Sequence, residues 1–155
     1  MDAKRKLVIA LAVAGALGAL GGCRTPSGSM PGGGGDGVAG HTQMVTLMGA
    51  NEVPPVDTKA TGTATVTVKL DRSVSARVTV TGMAATAAHI HEAAIGANGP
   101  VIVPLEKAGD NNFVAAPGAK LSEAQYEAFK AGRAYVNVHS EAQKAGEIRA
   151  QLKGG

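Results

Sequence analysis

Cysteine and aromatic residues are nearly missing from this chain of 155 residues. It has one cysteine, Cys23, and its aromatic side chains are two tyrosines and two phenylalanines, with no tryptophan. A single cysteine excludes an internal disulfide, even in an oxidising compartment. Few aromatics mean that any core is built from small and β-branched side chains, and these favour β-sheet.

Long apolar runs are also missing, apart from one near the amino terminus. Lys4, Arg5 and Lys6 precede an apolar segment at residues 7–20, which is about 14 residues long and shorter than the ~20 that span a bilayer as a helix. This pattern is typical of a cleaved secretion signal. Its removal takes three of the 15 basic residues and one of the 12 acidic residues. The mature chain is then nearly neutral, with no basic stripe, so we expect no nucleic-acid partner.

The apolar segment ends in a motif that defines the type of signal. Residues 20–23 read Leu-Gly-Gly-Cys, which resembles the bacterial lipobox. The resemblance implies that the Cys23 thiol is acylated and that residues 1–22 are removed; the alternative is a secreted protein with a chance cysteine. Two or three acyl chains anchor a protein stably. We expect a cell-envelope lipoprotein, and Arg24, in place of an Asp that signals inner-membrane retention, favours the outer membrane, facing the periplasm or the surface.

The segment after the signal has no composition that could form a core. Residues 23–40 consist mostly of Gly, Ser and Pro after the cysteine, and such chains cannot bury enough apolar surface to offset their conformational entropy. We therefore expect a lipidated flexible tether at residues 23–40 and one folded domain at residues 41–155.

In the folded domain, apolar and polar residues alternate with a period of two, as in half-buried strands. The alternation is clearest at residues 61–70 and 74–80, and the short polar connection between them predicts a hairpin. Further strands are predicted at residues 43–48, 87–91, 101–105, 134–139 and 147–152.

One helix interrupts the strand pattern. Ser122 is a suitable N-cap, Gln125 stands where a capping box requires it, and Gly132 is suited to end the helix. About seven short strands with one short crossover helix predict an all-β fold, a Greek-key-like antiparallel β-sandwich.

Five motifs occur in order along residues 43–152. They are Leu-x-Gly-x-Asn-Glu-Val-Pro-Pro-Val at 47–56, Thr-Ala-Ala-His-Ile-His at 86–91, Gly-x-Asn-Gly-Pro-Val at 96–101, Ala-Gly-x-x-Tyr-Val-Asn-Val-His at 131–139 and Gly-Glu-Ile-Arg-Ala-Gln-Leu at 146–152. Together they resemble the CHRD domain, named after chordin. The resemblance implies a β-sandwich domain found in secreted developmental regulators and in bacterial envelope proteins. Because the biochemical role of these domains is largely unassigned, it implies fold more than function.

Three histidines lie on the polar faces of two predicted strands. His89 and His91 share one face of the strand at 87–91, and His139 lies on the polar face of the strand at 134–139. Neutral imidazole is a good ligand for both Cu and Zn, so the three residues are candidate ligands for one such ion.

Glu147, Asn137 and Arg149 are the candidate neighbours of this site, because the chain returns antiparallel after residues 140–146 and would bring Glu147 close to His139. The alternative is that the histidines only hydrogen-bond to backbone and neighbouring side chains and so fix the sheet. Glu147 and Arg149 share an outward face, and an ion pair, or cross-strand pairing of Arg149 with Asn137, explains them without catalysis.

A second, local resemblance concerns copper. Gly-Met at 82–83, followed by Ala-His-Ile-His at 88–91, is similar to the copper-binding strand of copper-zinc superoxide dismutase, where two histidines at i and i+2 ligate the metal. The chain has no bridging-histidine segment, no matching zinc loop and no disulfide. Dismutase activity therefore does not follow.

No combination of nucleophile, base and oxyanion hole is found in the sequence, which favours a non-enzymatic role. The leading hypothesis is a lipid-anchored binding module that presents its domain to a protein, glycan or metal ion. The alternative is a copper- or zinc-binding protein, for metal handling or redox chemistry, that uses His89, His91 and His139.

Overall fold

The structure, a computed structural model, describes residues 39–155. The predicted signal peptide at 1–22, Cys23 and most of the predicted tether lie outside the described residues. Within the described part of the chain, no helix combines the length and the apolarity needed to cross a bilayer.

Eight strands, a short 3-10 turn and one α-helix make up the domain. In chain order they are β1 (Gly40–Met48), the 3-10 turn (Gly49–Asn51), β2 (Thr61–Lys69), β3 (Val74–Thr81), β4 (Ala85–His91), β5 (Val101–Lys107), β6 (Asn112–Ala115), α1 (Glu123–Lys130), β7 (Ala134–Ser140) and β8 (Ile148–Leu152).

The strands form a closed antiparallel barrel in the order β1-β2-β3-β6-β5-β4-β7-β8. The barrel closes where Met48 of β1 pairs with Arg149 of β8. The predicted β-sandwich of about seven strands is therefore wrong. Apolar and polar residues alternate in the same way in a sandwich and in a barrel, and the pairing of the two edge strands, which the pattern does not report, decides between them. The missed strand, β6, has only four residues, too few to show a period of two.

Local structure follows the sequence signals closely. β2 and β3 form the predicted hairpin, with eight residue pairs from Thr61–Thr81 to Val68–Val74. The helix is capped as predicted: the Ser122 hydroxyl accepts from the Gln125 amide, and the Gln125 side chain accepts from the Ser122 amide. Gly132 follows with a φ of +70°, which glycine adopts without steric cost.

The core fills the barrel with small and β-branched side chains, as the composition predicts. β3 alternates strictly between buried and exposed residues, and Val66, Val78, Val136 and Val138 are among the largest fully buried side chains. All eight strands and the buried apolar cluster lie within residues 40–152. This range therefore contains everything that the barrel needs to close.

Part of the outer face of the barrel is also buried, because two connecting segments fold over β4, β7 and β8. Residues 49–60 follow β1, and residues 92–100 join β4 to β5. The two segments contact each other where the Asn98 amide donates to the Val53 carbonyl at 2.8 Å. Beneath them lies a layer of buried polar side chains: Glu52, His91, Asn137, Ser140, Glu147 and Arg149.

Candidate metal centre

The three candidate histidines converge on the outer face of the barrel. Strands β4 and β7 pair antiparallel, with His89 opposite Asn137 and His139 opposite Ala87, so His139 is a diagonal neighbour of His89. One ligand nitrogen from each of His89, His91 and His139 lies within 4.8 Å of the others. The placement that strand parity predicts is thus present, and metal binding itself stays a prediction.

The rings pack against one another rather than pointing into solvent. The ring centres of His89 and His139 are 4.9 Å apart, and those of His89 and His91 are 5.5 Å apart. Nδ1 of His89 and Nε2 of His139 are within hydrogen-bonding distance, at 2.9 Å.

Backbone carbonyls fix the protonation of two of the rings. Nδ1 of His91 lies 2.9 Å from the Gly99 carbonyl oxygen, and Nδ1 of His139 lies 2.9 Å from the Lys144 carbonyl oxygen. A carbonyl oxygen only accepts, so in both rings Nδ1 carries the proton and Nε2 keeps its lone pair. Histidines that bind metals are oriented in this way, with the second nitrogen donating to a carbonyl or carboxylate.

The free nitrogen of His91 has no hydrogen-bond partner. His91 is 8% exposed, and its Nε2 is fully buried and unpaired among the described residues. Leaving a buried polar atom unpaired costs about 1–3 kcal/mol, and His41 Nε2, Glu52 Oε1 and Asn137 Oδ1 are unpaired in the same way. An ion bound at Nε2 of His91 would remove that cost.

All three imidazoles are held neutral. Burial, together with the neighbouring His139 and His91, lowers the pKa of His89 from 6.5 to about 4. Burial also lowers the pKa of His91, although its hydrogen bond to Gly99 opposes the shift, and burial lowers the pKa of His139 against the effect of its bond to Lys144. Neutral imidazole is the form that binds metal ions.

A stack of side chains supports His91 from one side. The Tyr135 ring lies nearly parallel to the His91 ring, with an interplanar angle of 8° and centres 4.8 Å apart. The Arg149 guanidinium carbon lies 3.4 Å from the centre of the Tyr135 ring, which is cation–π geometry. Tyr135 is thus in contact with both the cation and the candidate ligand.

The same residues hold the segment 92–100 against the barrel. Arg149 donates to the Ala97 carbonyl at 2.8 Å and to Asn98 Oδ1 at 3.1 Å, and the Tyr135 hydroxyl accepts from the Gly99 amide at 3.3 Å. Gly99 is required here because a Cβ at this position would collide with the Glu92 carbonyl oxygen. The carbonyl that orients His91 is therefore itself fixed in place.

The three predicted neighbours have separate roles. The Glu147 carboxylate accepts from Thr58 at 2.8 Å and from Ser140, and it does not join the histidine group. Arg149 and Asn137 are paired across β7 and β8, as predicted for cross-strand neighbours. Asn137 lies close to both His91 and Glu52. Hydrogen bonding with its side chain favours the protonated form of His91 and so raises the pKa of that residue, although burial lowers it overall, and it lowers the pKa of Glu52.

Sequence reasoning missed Glu52, Gly99, Tyr135 and Lys144 as parts of this region. Burial raises the pKa of Glu52 to about 6, against the opposing effects of Arg149, the Val53 backbone and Asn137. Glu52 and Gly99 lie in two of the five motifs, and their place in these motifs is the sequence signal that could have pointed to them. Their effect comes from segments folding back over the barrel, which a strand pattern does not describe.

A groove of about 620 Å³ opens beside this polar layer. Its walls come from β1, residues 50–55 and residues 95–96, and Arg149 and Gln151 of β8 line it as well. Ile95, at its edge, is 83% exposed.

Comparison with known proteins gives one family. The CHRD domain matches residues 44–152, most of the chain and nearly all of the barrel. No curated protein and no solved structure matches the chain, so the local similarity to the dismutase copper strand gains no support from them. The CHRD resemblance carried by the five motifs is confirmed, and the chain belongs to the CHRD domain family.

Proposed function

We propose that this protein is a non-enzymatic CHRD module, anchored to a membrane of the cell envelope through acylated Cys23, that binds one Cu or Zn ion through His89, His91 and His139. The observation that carries the proposal is the convergence of three imidazoles whose ligand nitrogens lie within 4.8 Å of one another, with the unpaired Nε2 of His91 among them.

The donor set supports this proposal in three respects. The ligand nitrogens lie within 4.8 Å of one another, so small side-chain rotations let them share an ion with metal–nitrogen distances of about 2.0–2.1 Å. The rings are neutral, and the Nδ1 protons of His91 and His139 are already committed to carbonyl oxygens. Folding therefore orients His91 and His139 before the ion arrives, and the ion would replace the hydrogen bond between His89 and His139.

A protein or glycan partner is the second candidate, and the groove lined by Glu52, Val53, Ile95 and Arg149 favours it. Such a partner would bury the exposed side chain of Ile95. This function does not involve the histidines, so the two candidates respond to different substitutions.

Elemental analysis is the simplest way to distinguish metal binding from binding of a protein or glycan partner. The lipid-free chain of residues 24–155 should contain close to one equivalent of Cu or Zn after exposure to either ion and gel filtration. The variant His89→Ala should contain far less, whereas Ile95→Ala should keep its metal. Equal metal contents in all three proteins would refute the histidine site.

A further inference from the structure

We infer that this site binds Cu(I) in preference to divalent ions, and that the positive charge of the buried Arg149 guanidinium causes this preference by disfavouring the divalent ions. The inference rests on the proposed metal-binding function and names its ion. Three features carry it: the neutral donor set, the number of donors, and a buried cation beside the ligands that has no direct ion pair within the described part of the chain.

The donor set carries no negative charge. His89, His91 and His139 form the group without any Asp, Glu or Cys among the described residues, and the groups behind His91 and His139 are backbone carbonyls. A divalent ion bound here would keep its full charge of +2 in a half-buried site, and burying charge without compensation is unfavourable. A monovalent ion brings half of that charge into the site, so its burial is less unfavourable.

The number of donors points the same way. Zn in proteins is almost always four-coordinate, whereas the d10 ion Cu(I) is satisfied by two or three ligands. The described residues bring three imidazoles together and no fourth side-chain ligand. The set is therefore complete for Cu(I), whereas Zn(II) would need a water as its fourth ligand.

Arg149 adds a fixed positive charge close to this neutral site. It is 1% exposed, and no carboxylate lies within ion-pair distance of it among the described residues. Its hydrogen bonds go to neutral acceptors on Ala97, Asn98 and Gln151. Through the Tyr135 stack, its guanidinium carbon lies at most about 8 Å from the centre of the His91 ring.

The size of this charge effect follows from Coulomb's law. A unit charge at about 10 Å, with an effective dielectric constant of about 20, changes the affinity roughly tenfold for each added unit of metal charge. Arg149 therefore disfavours Zn(II) and Cu(II) relative to Cu(I) by about that factor. For the one-electron Cu(II)/Cu(I) couple, a tenfold change corresponds to about 59 mV.

Glu52 acts in the opposite direction. It is buried and interacts electrostatically with Arg149 without pairing directly with it, so it compensates part of the positive charge. Glu52→Gln removes that compensation with little change in shape. Glu52 and Arg149 therefore give two independent ways to change the charge at the site.

The test measures dissociation constants for Cu(I), under anaerobic conditions with a competing chelator, and for Zn(II), together with the Cu(II)/Cu(I) potential. The proteins are the lipid-free chain and its variants Arg149→Gln, Arg149→Lys and Glu52→Gln. Cu(I) should bind the parent chain more tightly than Zn(II). Arg149→Gln should reduce that preference about tenfold and lower the potential by about 59 mV. Arg149→Lys should keep both values, and Glu52→Gln should shift both in the opposite direction.

Each contrary result has a distinct meaning. If neither ion binds the parent chain, the proposed function fails and the inference fails with it. If metal binds but Zn(II) binds more tightly, or if Arg149→Gln and Arg149→Lys change the preference equally, charge selection is refuted and the histidine site stands. Should the Arg149 variants not fold, an unchanged preference and potential in Glu52→Gln refute the inference alone.

Discussion

Tyr135 of β7 and His91 of β4 are a directly opposed pair on two neighbouring strands, and their rings stack 4.8 Å apart. The same tyrosine accepts a hydrogen bond from the amide of Gly99, and the Gly99 carbonyl accepts from His91. Tyr135 therefore supports the His91 imidazole in two ways. Its ring packs against the imidazole ring, and its hydroxyl helps to fix the Gly99 carbonyl that accepts the Nδ1 proton of His91.

The first prediction concerns Gly99. In Gly99→Ala the new methyl group collides with the Glu92 carbonyl oxygen, so the segment must move and His91 loses its fixed acceptor. We expect metal affinity to fall at least tenfold, since loss of a group that orients a metal ligand usually costs about 10- to 100-fold. Calorimetric titration with Zn(II) measures it.

Gly96→Ala is the matched control. Gly96 has a φ of +77°, but a Cβ there meets no atom within 4 Å, so the change strains the backbone without displacing Gly99. Its affinity should match that of the parent chain. Equal losses in both variants would mean that the segment does not orient His91.

The second prediction concerns the barrel. Val136 is fully buried and Thr65 is exposed, although both lie in strands. Val136→Asp places an unpaired charge in the core at a cost of several kcal/mol, on the order of the whole stability of a small domain. Chemical denaturation should find this variant unfolded, with Thr65→Asp close to the parent chain. A folded Val136→Asp would contradict the assigned core.

Strand parity correctly predicted the face of the strand on which each histidine lies. It did not predict which segments cover that face. The period of two places Arg149 on the outer face of β8, where it is, and predicts exposure, whereas the segment 92–100 buries it. Alternation reports which face a residue takes and not what covers that face. The barrel was missed for a similar reason, because closure depends on the pairing of Met48 with Arg149, a contact between residues far apart in sequence.

The third prediction is a dependence of stability on pH. In the folded chain, burial and the neighbouring His139 and His91 lower the pKa of His89 to about 4, from 6.5 in the unfolded chain. Between these values the unfolded chain binds the extra proton, so the contribution is fully present above pH 6.5 and is lost as pH falls toward 4. Glu52 has the opposite sign: its pKa is raised from 4.5 to about 6, and its contribution is lost as pH rises through 6.

Urea denaturation of the metal-free chain at pH 7, 5.5 and 4.5 tests both signs. His89→Ala should show a shallower loss of stability with falling pH than the parent chain. Glu52→Gln should show a steeper loss, because the opposing contribution is gone. A steeper loss in His89→Ala would contradict the assignment of a buried neutral imidazole.

The fourth prediction concerns the anchor. Acyl transfer needs a thiolate, and Cys23 is the only cysteine in the chain. Cys23→Ser should therefore incorporate no labelled palmitate and should accumulate as an uncleaved precursor. Label retained in this variant would refute lipid anchoring, and it would leave the metal site untouched.

The most direct test of the central claim is calorimetric titration of the lipid-free chain, His91→Ala and His41→Ala with Cu(II) and with Zn(II), each protein first shown to be folded by circular dichroism. His41 lies in β1 against Phe129 and outside the histidine group, so it is the matched control. The parent chain and His41→Ala should bind one equivalent, and His91→Ala should bind none. Binding of both ions weaker than about 10 μM by the parent chain, or equal binding by His91→Ala, would contradict the account.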